Sequence, residues 1–202
     1  MRRQKIEIVD YINKMTNMSD EESVNRELMD SVFRHVDRVL KHKCVPDVTI
    51  NTKEAHDYVD DLIENGDTSL LGHGTVYLRM THGNTRAHVY SELPGSITSI
   101  GDDDHIYITC PFDGICRHNL IDDATQFIIS RMKCHAQRMT LKATLSYIEL
   151  ITMLTDKSIS SCTVTILSEM KKYARLSSKV VVAITGDESS LRKLRVLDNN
   201  QF

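Results

Sequence analysis

At 202 residues and 23.0 kDa, the chain has the length of one ordinary domain, with two small ones as the outer bound. A hydrophobic share of 41% and a charged share of 26% are those of a folded protein rather than a disordered tail. Tryptophan is absent and aromatics make up 5%, which argues against the stacking platforms of single-strand nucleic-acid grooves and carbohydrate clefts.

The longest apolar stretches, such as Ile148 to Leu154, are broken by polar residues and fall short of the roughly 20 residues a membrane span needs. Met1-Arg2-Arg3-Gln4-Lys5 has the charge of a signal-peptide start, but Glu7, Asp10 and Asn13 interrupt the apolar segment such a peptide needs next, so export by that route is not expected. Five cysteines, at positions 44, 110, 116, 134 and 162, are odd in number and dispersed. They point to free thiols in a reducing, cytoplasmic or otherwise intracellular compartment, or to partial metal ligation. The formal charge of −3 divides unevenly. Residues 1–123 hold 13 Lys and Arg against 22 Asp and Glu, whereas residues 124–202 hold 12 against 6. Such a chain can pair head to tail or turn a basic face to phosphates, unless folding mixes the two parts.

In chain order, Ile6, Val9 and Ile12 suggest a short first helix. Ser19-Asp20-Glu21-Glu22 has the form of a capping box, and Val24, Leu28, Val32, Val36, Val39 and Leu40 recur at helical steps, which predicts a helix over 20–43. Val45-Pro46 stops it, because the residue before proline is pushed out of the helical region. Asn51 and Glu54 open another helix, ended by Gly66.

The period then changes to two. Val76, Leu78 and Met80, then Ala87 and Val89, flank His82-Gly83-Asn84, which predicts a β-hairpin; Ile106, Ile108 and Cys110 predict a third strand. Helices are expected from Asn119, from Thr140 (through Leu141, Leu145, Ile148, Ile151 and Leu154), and over about 163–176. Residues 179–185 read as a strand buried on both faces, and Leu191, Leu194 and Leu197 as a last short helix. The fold class is therefore α+β: N-terminal helices, a central antiparallel hairpin with a third strand, then C-terminal helices with one further buried strand. The domain expectation is a single unit over 1–202, with 1–66 helical and 67–202 mixed as the subdivision.

Two groups of residues could carry chemistry. Cys110, Cys116 and His118, with Cys134 from the next element, offer zinc its preferred thiolate and imidazole ligands. Against that, five residues separate Cys110 from Cys116 where zinc knuckles place two to four, and Cys110 at a strand end also reads as a core residue. His73, His82, His88 and His105 with Asp102, Asp103 and Asp104 could hold a hydrolytic metal, yet strand alternation disperses them. No nucleophile elbow or phosphate loop is present, and Gly72-His73-Gly74 lacks the continuation of a nucleotide loop.

Basic residues cluster at Arg131, Lys133 and Arg138, at Lys171, Lys172 and Arg175, and at Arg192, Lys193 and Arg195. They could face nucleic acid or an anionic membrane surface, or simply complement helix C-termini. The expectation is a non-enzymatic interaction or assembly protein without cofactor. It would self-associate or bind a protein, anionic lipid or nucleic acid, by analogy with virus-encoded, matrix-like proteins. The rival is a zinc-stabilised module or metal-dependent hydrolase centred on residues 102–135.

Overall fold

In a computed structural model of the chain, which describes residues 6–9, 20–101, 103–130, 137–156, 161–170 and 179–193, two four-stranded antiparallel sheets are bridged by one long helix. The fold is α+β, as the alternation of periods predicts.

Helix α1 spans Glu21–Leu40. Asp20 caps it by accepting from the Ser23 backbone N–H at 2.7 Å, with Glu21 and Glu22 in the favourable first turn. Its buried stripe is Leu28, Met29, Val32, Phe33, Val36 and Val39. Helix α2, Thr52–Glu64, is capped by Asn51 and buries Ala55, Val59 and Leu62. Both helices pack into one core with the sheet of strands β2 (Thr75–Thr81), β3 (Ile97–Ile100), β4 (His105–Pro111) and β5 (Ile128–Ile129), ordered β3-β4-β2-β5. Val76, Leu78 and Met80 face that core opposite Cys110, Ile108 and Ile106, so the period of two delivers the buried face.

The second sheet is built from β1 (Ile6–Val9), β6 (Arg138–Ser146), β7 (Thr163–Met170) and β8 (Lys179–Asp187), ordered β1-β6-β8-β7. Leu141, Ala143, Leu145, Val180, Val182 and Ile184 form its outer apolar face. That face is covered by Leu150 and Met153 of α6 (Tyr147–Thr155) and by Leu191 of α7 (Glu188–Lys193). On the inner face Val39 of α1 meets Cys44, Leu167 and Ala183, a small second contact between α1 and this sheet. The 3-10 turn Thr68–His73 and the short helices α3 (Arg86–Ser91), α4 (Phe112–Arg117) and α5 (Ile121–Thr125) complete the described elements.

Several expectations are corrected. Residues 86–91 form a helix and not the second arm of a hairpin, because Ala87 and Tyr90, three apart, are the pair that is buried. Asn84 starts it, accepting from the Arg86 backbone N–H, and β4 takes the place of the expected partner of β2. Asn119 has φ +53° and lies outside the helical region, so the next helix is only α5 and the chain re-enters the sheet at β5. Residues 6–9 are strand and not helix. From Thr140 the chain is strand to Ser146, and the helix begins only there, with a full capping box between Ser146 and Glu149. Residues 163–170 are strand rather than helix. The strand expected at 179–185 is present and buried on both faces. Of the last helix, α7 ends at Lys193; Leu194 and Leu197 lie outside the described residues.

The backbone at residues 72–74 runs through a tight passage. A Cβ on Gly74 would lie 2.8 Å from Phe112 Cβ, 2.9 Å from Val32 Cγ1 and 3.0 Å from Val36 Cγ2. A Cβ on Gly72 would run into Thr163 Oγ1 of β7. Gly74→Ala is therefore expected to cost about 1–3 kcal/mol by overpacking, read from the urea midpoint at unchanged slope; an unchanged midpoint would show that the passage is not tight.

Candidate functional site

Sheet alternation puts threonines where the two sheets meet. Thr140 of β6, Thr185 of β8 and Thr163 of β7 sit directly across from one another, and Thr165 follows on the same inner face. Onto this row the 3-10 turn delivers His73, which is completely buried. His73 Nδ1 lies 2.8 Å from Thr185 Oγ1, and Nε2 lies 2.8 Å from Thr165 Oγ1. Thr185 Oγ1 is 2.7 Å from Thr140 Oγ1, which in turn is 2.9 Å from Nε2 of His35 on α1. Five side chains from α1, the turn, β6, β7 and β8 thus form one continuous hydrogen-bonded chain.

Burial shapes the chemistry of both imidazoles. It pulls the His73 pKa down to about 3, with the neighbouring His35 and Arg138 adding to the effect. It pulls His35 down to about 4, helped by Arg38. Both rings are neutral at ordinary pH. His35 Nδ1 is buried without a hydrogen-bond partner among the described residues.

Arg138 closes the junction beside them. Its Nη1 donates to the Ser161 carbonyl at 3.0 Å and its Nη2 to the Gly72 carbonyl at 3.2 Å. The Tyr77 hydroxyl of β2 donates to the Arg138 carbonyl at 3.2 Å and accepts from the Arg138 backbone N–H at 3.1 Å. A side chain of one sheet thereby fills the role of a neighbouring strand for the other. Burial works against ionisation of Asp187, but the Ser190 backbone and hydroxyl donors outweigh it and bring the carboxyl below its usual range. Asp113 is pushed up by burial, opposed first by Arg117. Both nitrogens of His73 are engaged, and the remaining nitrogen of His35 is shut from solvent.

The residues singled out from sequence fare differently. Cys110 is buried in β4, with its thiol against the Tyr90 carbonyl and the Ser96 hydroxyl. Cys116 is buried in α4 near Asp113 and Asp60. Burial raises the first thiol to about 11 and the second to about 12. His118 is exposed at the end of α4, and Cys134 lies outside the described residues. Among the described residues no three His, Cys, Asp or Glu side chains converge as metal ligands. His88 pairs with Glu92 and His105 with Asp103; His82 is exposed in the turn after β2, and Asp102 lies outside the described residues.

Of the basic residues, Arg138 is buried in a strand and committed to carbonyls, which removes it from any contact surface. Arg192 is bound to Glu188 at 2.7 Å, and Lys193 is exposed. Arg131, Lys133, Lys171, Lys172, Arg175 and Arg195 lie outside the described residues. No helix among the described residues is long and apolar enough to cross a membrane.

One apolar surface carries no polar motif that sequence could flag. Ile148, Ile151 and Leu154 of α6 are 66%, 57% and 58% exposed, although Leu150 and Met153 of the same helix are buried. Tyr147 joins them and donates its hydroxyl to Glu169 of β7 at 2.9 Å. Ile166 of β7, 46% exposed, lies opposite Val182 and so shares the outer face of the sheet. Five of the eight large hydrophobic side chains exposed among the described residues therefore lie on α6 and the outer side of β7.

Two isosteric substitutions separate working from idle buried hydroxyls. Thr185→Val leaves His73 Nδ1 without its partner and takes from Thr140 one of its two, and is expected to cost about 1–3 kcal/mol. Thr109 Oγ1 is buried without a partner among the described residues, so Thr109→Val is expected to be neutral or to stabilise by up to about 1 kcal/mol. Chemical denaturation of the pair decides it: equal effects would mean that the threonine row contributes nothing specific. Compared with known proteins, the sequence matches no family model and no curated protein, so geometry alone carries the functional reading.

Proposed function

We propose that this chain is a self-associating interaction protein whose contact surface is the β7 edge of the β1-β6-β8-β7 sheet together with the apolar side of α6 beside it. The observation that carries it is the exposure of Tyr147, Ile148, Ile151, Leu154 and Ile166 on α6 and the outer side of β7. Scattered exposed hydrophobics are ordinary, but a contiguous group marks a contact site.

The neighbouring strand favours a second copy of the chain as the occupant. β7 is an edge strand, and no described backbone group outside the sheet bonds to it. Soluble proteins protect such edges with proline, lysine or bulges. Residues Thr163 to Ile166 carry none of these; the only bulge comes after Ile166. Antiparallel pairing of two β7 edges about a two-fold axis perpendicular to the sheet keeps both outer faces on the same side. It would bring the two α6 helices and both copies of Ile166 into one apolar surface.

Sedimentation velocity over a wide range of concentrations tests this. The protein is expected to dimerise reversibly, and Ile148→Glu with Ile151→Glu, or Ile166→Lys alone, is expected to weaken the dimer at least about tenfold. Far-UV circular dichroism should not change, because these side chains are exposed. A wild-type chain that sediments as a monomer at every concentration would overturn the proposal.

A further inference from the structure

The two imidazoles held neutral by burial are the two that the Thr140–Thr185 pair links. Each hydroxyl and each neutral imidazole supplies one proton, so a continuous chain of hydrogen bonds runs in one of two senses. If it runs from His35 Nε2 through Thr140 and Thr185 to His73 Nδ1, His73 donates from Nε2 to Thr165. His35 Nδ1 is then a buried lone pair. In the opposite sense His35 must carry its proton on Nδ1, where no group among the described residues accepts it. An orphaned buried N–H is rarer than an under-used acceptor, which favours the first sense.

A further proton has no good place to go. On His73 it would occupy Nδ1, forcing Thr185 and then Thr140 to turn round and drive the proton of His35 onto its partnerless Nδ1. On His35 it would occupy that same nitrogen directly. Either way the junction gains a buried positive charge. The charged groups acting on the rings are themselves cationic: Arg38 of α1 on His35, and Arg138 of β6 together with His35 on His73. The turn also packs against α2, α4, β4, β7 and β8, and none of these sets a carboxylate against either ring. Asp113 of α4 and Asp187 of β8 act on Arg138 instead. A buried, uncompensated charge is costly, and separating the surfaces that bury it is the relief.

We infer that the His35–Thr140–Thr185–His73–Thr165 chain is an acid-sensitive clasp between the two sheets, closed while both imidazoles are neutral and opened when either takes up a proton. Opening would part the inner face of the β1-β6-β8-β7 sheet from α1 and the turn, baring Leu167 and Ala183.

Linkage sets the sign. Above the ordinary histidine value of 6.5 neither state binds the extra protons, and the clasp holds at full strength. Below it the opened state takes up protons that the closed state refuses until about 4 at His35 and about 3 at His73. The closed-to-open ratio therefore falls by up to about a hundredfold per pH unit in that window, tenfold for each ring.

Hydrogen exchange of the wild-type chain at about pH 7 and about pH 4.5, corrected for intrinsic rates, is the test. Amides of the 3-10 turn, β7 and β8 are expected to lose protection at the lower pH while the β2–β4 ladder keeps it. His35→Gln with His73→Gln, neutral at both pH values, should flatten that dependence. Protection at the junction that does not change with pH, or a double variant that opens with the wild-type slope, would overturn the inference. If the double variant does not fold, the imidazole resonances of the wild-type protein decide. Two that stay neutral to below about pH 5 in the folded chain support the clasp, and a midpoint near 6.5 for both removes it.

Discussion

The ring of His73, held at one nitrogen by Thr185 and at the other by Thr165, is the constraint on which the junction of the two sheets depends. Its position comes from its neighbours. Gly74 lets the backbone lie against Phe112, Val32 and Val36, and Gly72 lets it lie against Thr163. The imidazole is thereby aimed into a row of hydroxyls whose spacing is set by strand register. Arg138 binds the carbonyl of Gly72, so the same short turn receives both polar ties. The apolar contact between α1 and the inner face, Val39 with Cys44, Leu167 and Ala183, is small beside the large core shared by α1, α2 and the other sheet.

The two faces of the β1-β6-β8-β7 sheet consequently differ in character. On the outer face Leu141, Ala143, Leu145, Val180, Val182 and Ile184 give a non-directional attraction to α6 and α7, which cover them. On the inner face the threonines and histidines demand fixed geometry, because a buried hydroxyl or imidazole is costly unless its partner is in place. One face is held by apolar packing and the other by fixed polar geometry. Strand alternation alone separates these roles in β6 and β8, one residue apart throughout.

Part of this was legible in the sequence. α1 announces itself through five turns of regular apolar spacing, and β2 and β8 through their apolar patterns. The misreadings have definite causes. Leu141, Leu145 and Ile148 satisfy a helical step, yet Leu141, Ala143 and Leu145 equally satisfy a strand. The β-branched Thr140 and Thr144 between them should have tipped the balance. Ala87, Val89 and Tyr90 are compatible with both periods, and only burial separates them. The junction was hidden because its partners are far apart: His73 and Thr185 are 112 residues apart in sequence. A histidine between two glycines was the available signal, since paired glycines mark a backbone approached from both sides. The apolar surface was hidden for another reason. Ile148, Ile151 and Leu154 look like core residues until the strand before them takes that place.

The strand order also bears on how the chain acquires its structure. Ile6–Val9 must pair with Thr140–Ala143, and β6 must pair with β8 beyond it. The helices and strands from α1 to β5, by contrast, contact one another within a continuous stretch of chain. Contacts between distant segments carry a larger loop-closure cost and form later than local ones. During synthesis the α1-to-β5 core can therefore assemble while β1 still waits for a partner. Until β6 and β8 have both been made, the row of hydroxyls does not exist and His73 lacks the sheet that buries it. Burial under that sheet is what disfavours the charged imidazole, so closing it over a protonated His73 must expel the proton, a requirement that grows in acidic surroundings and fades toward neutral ones.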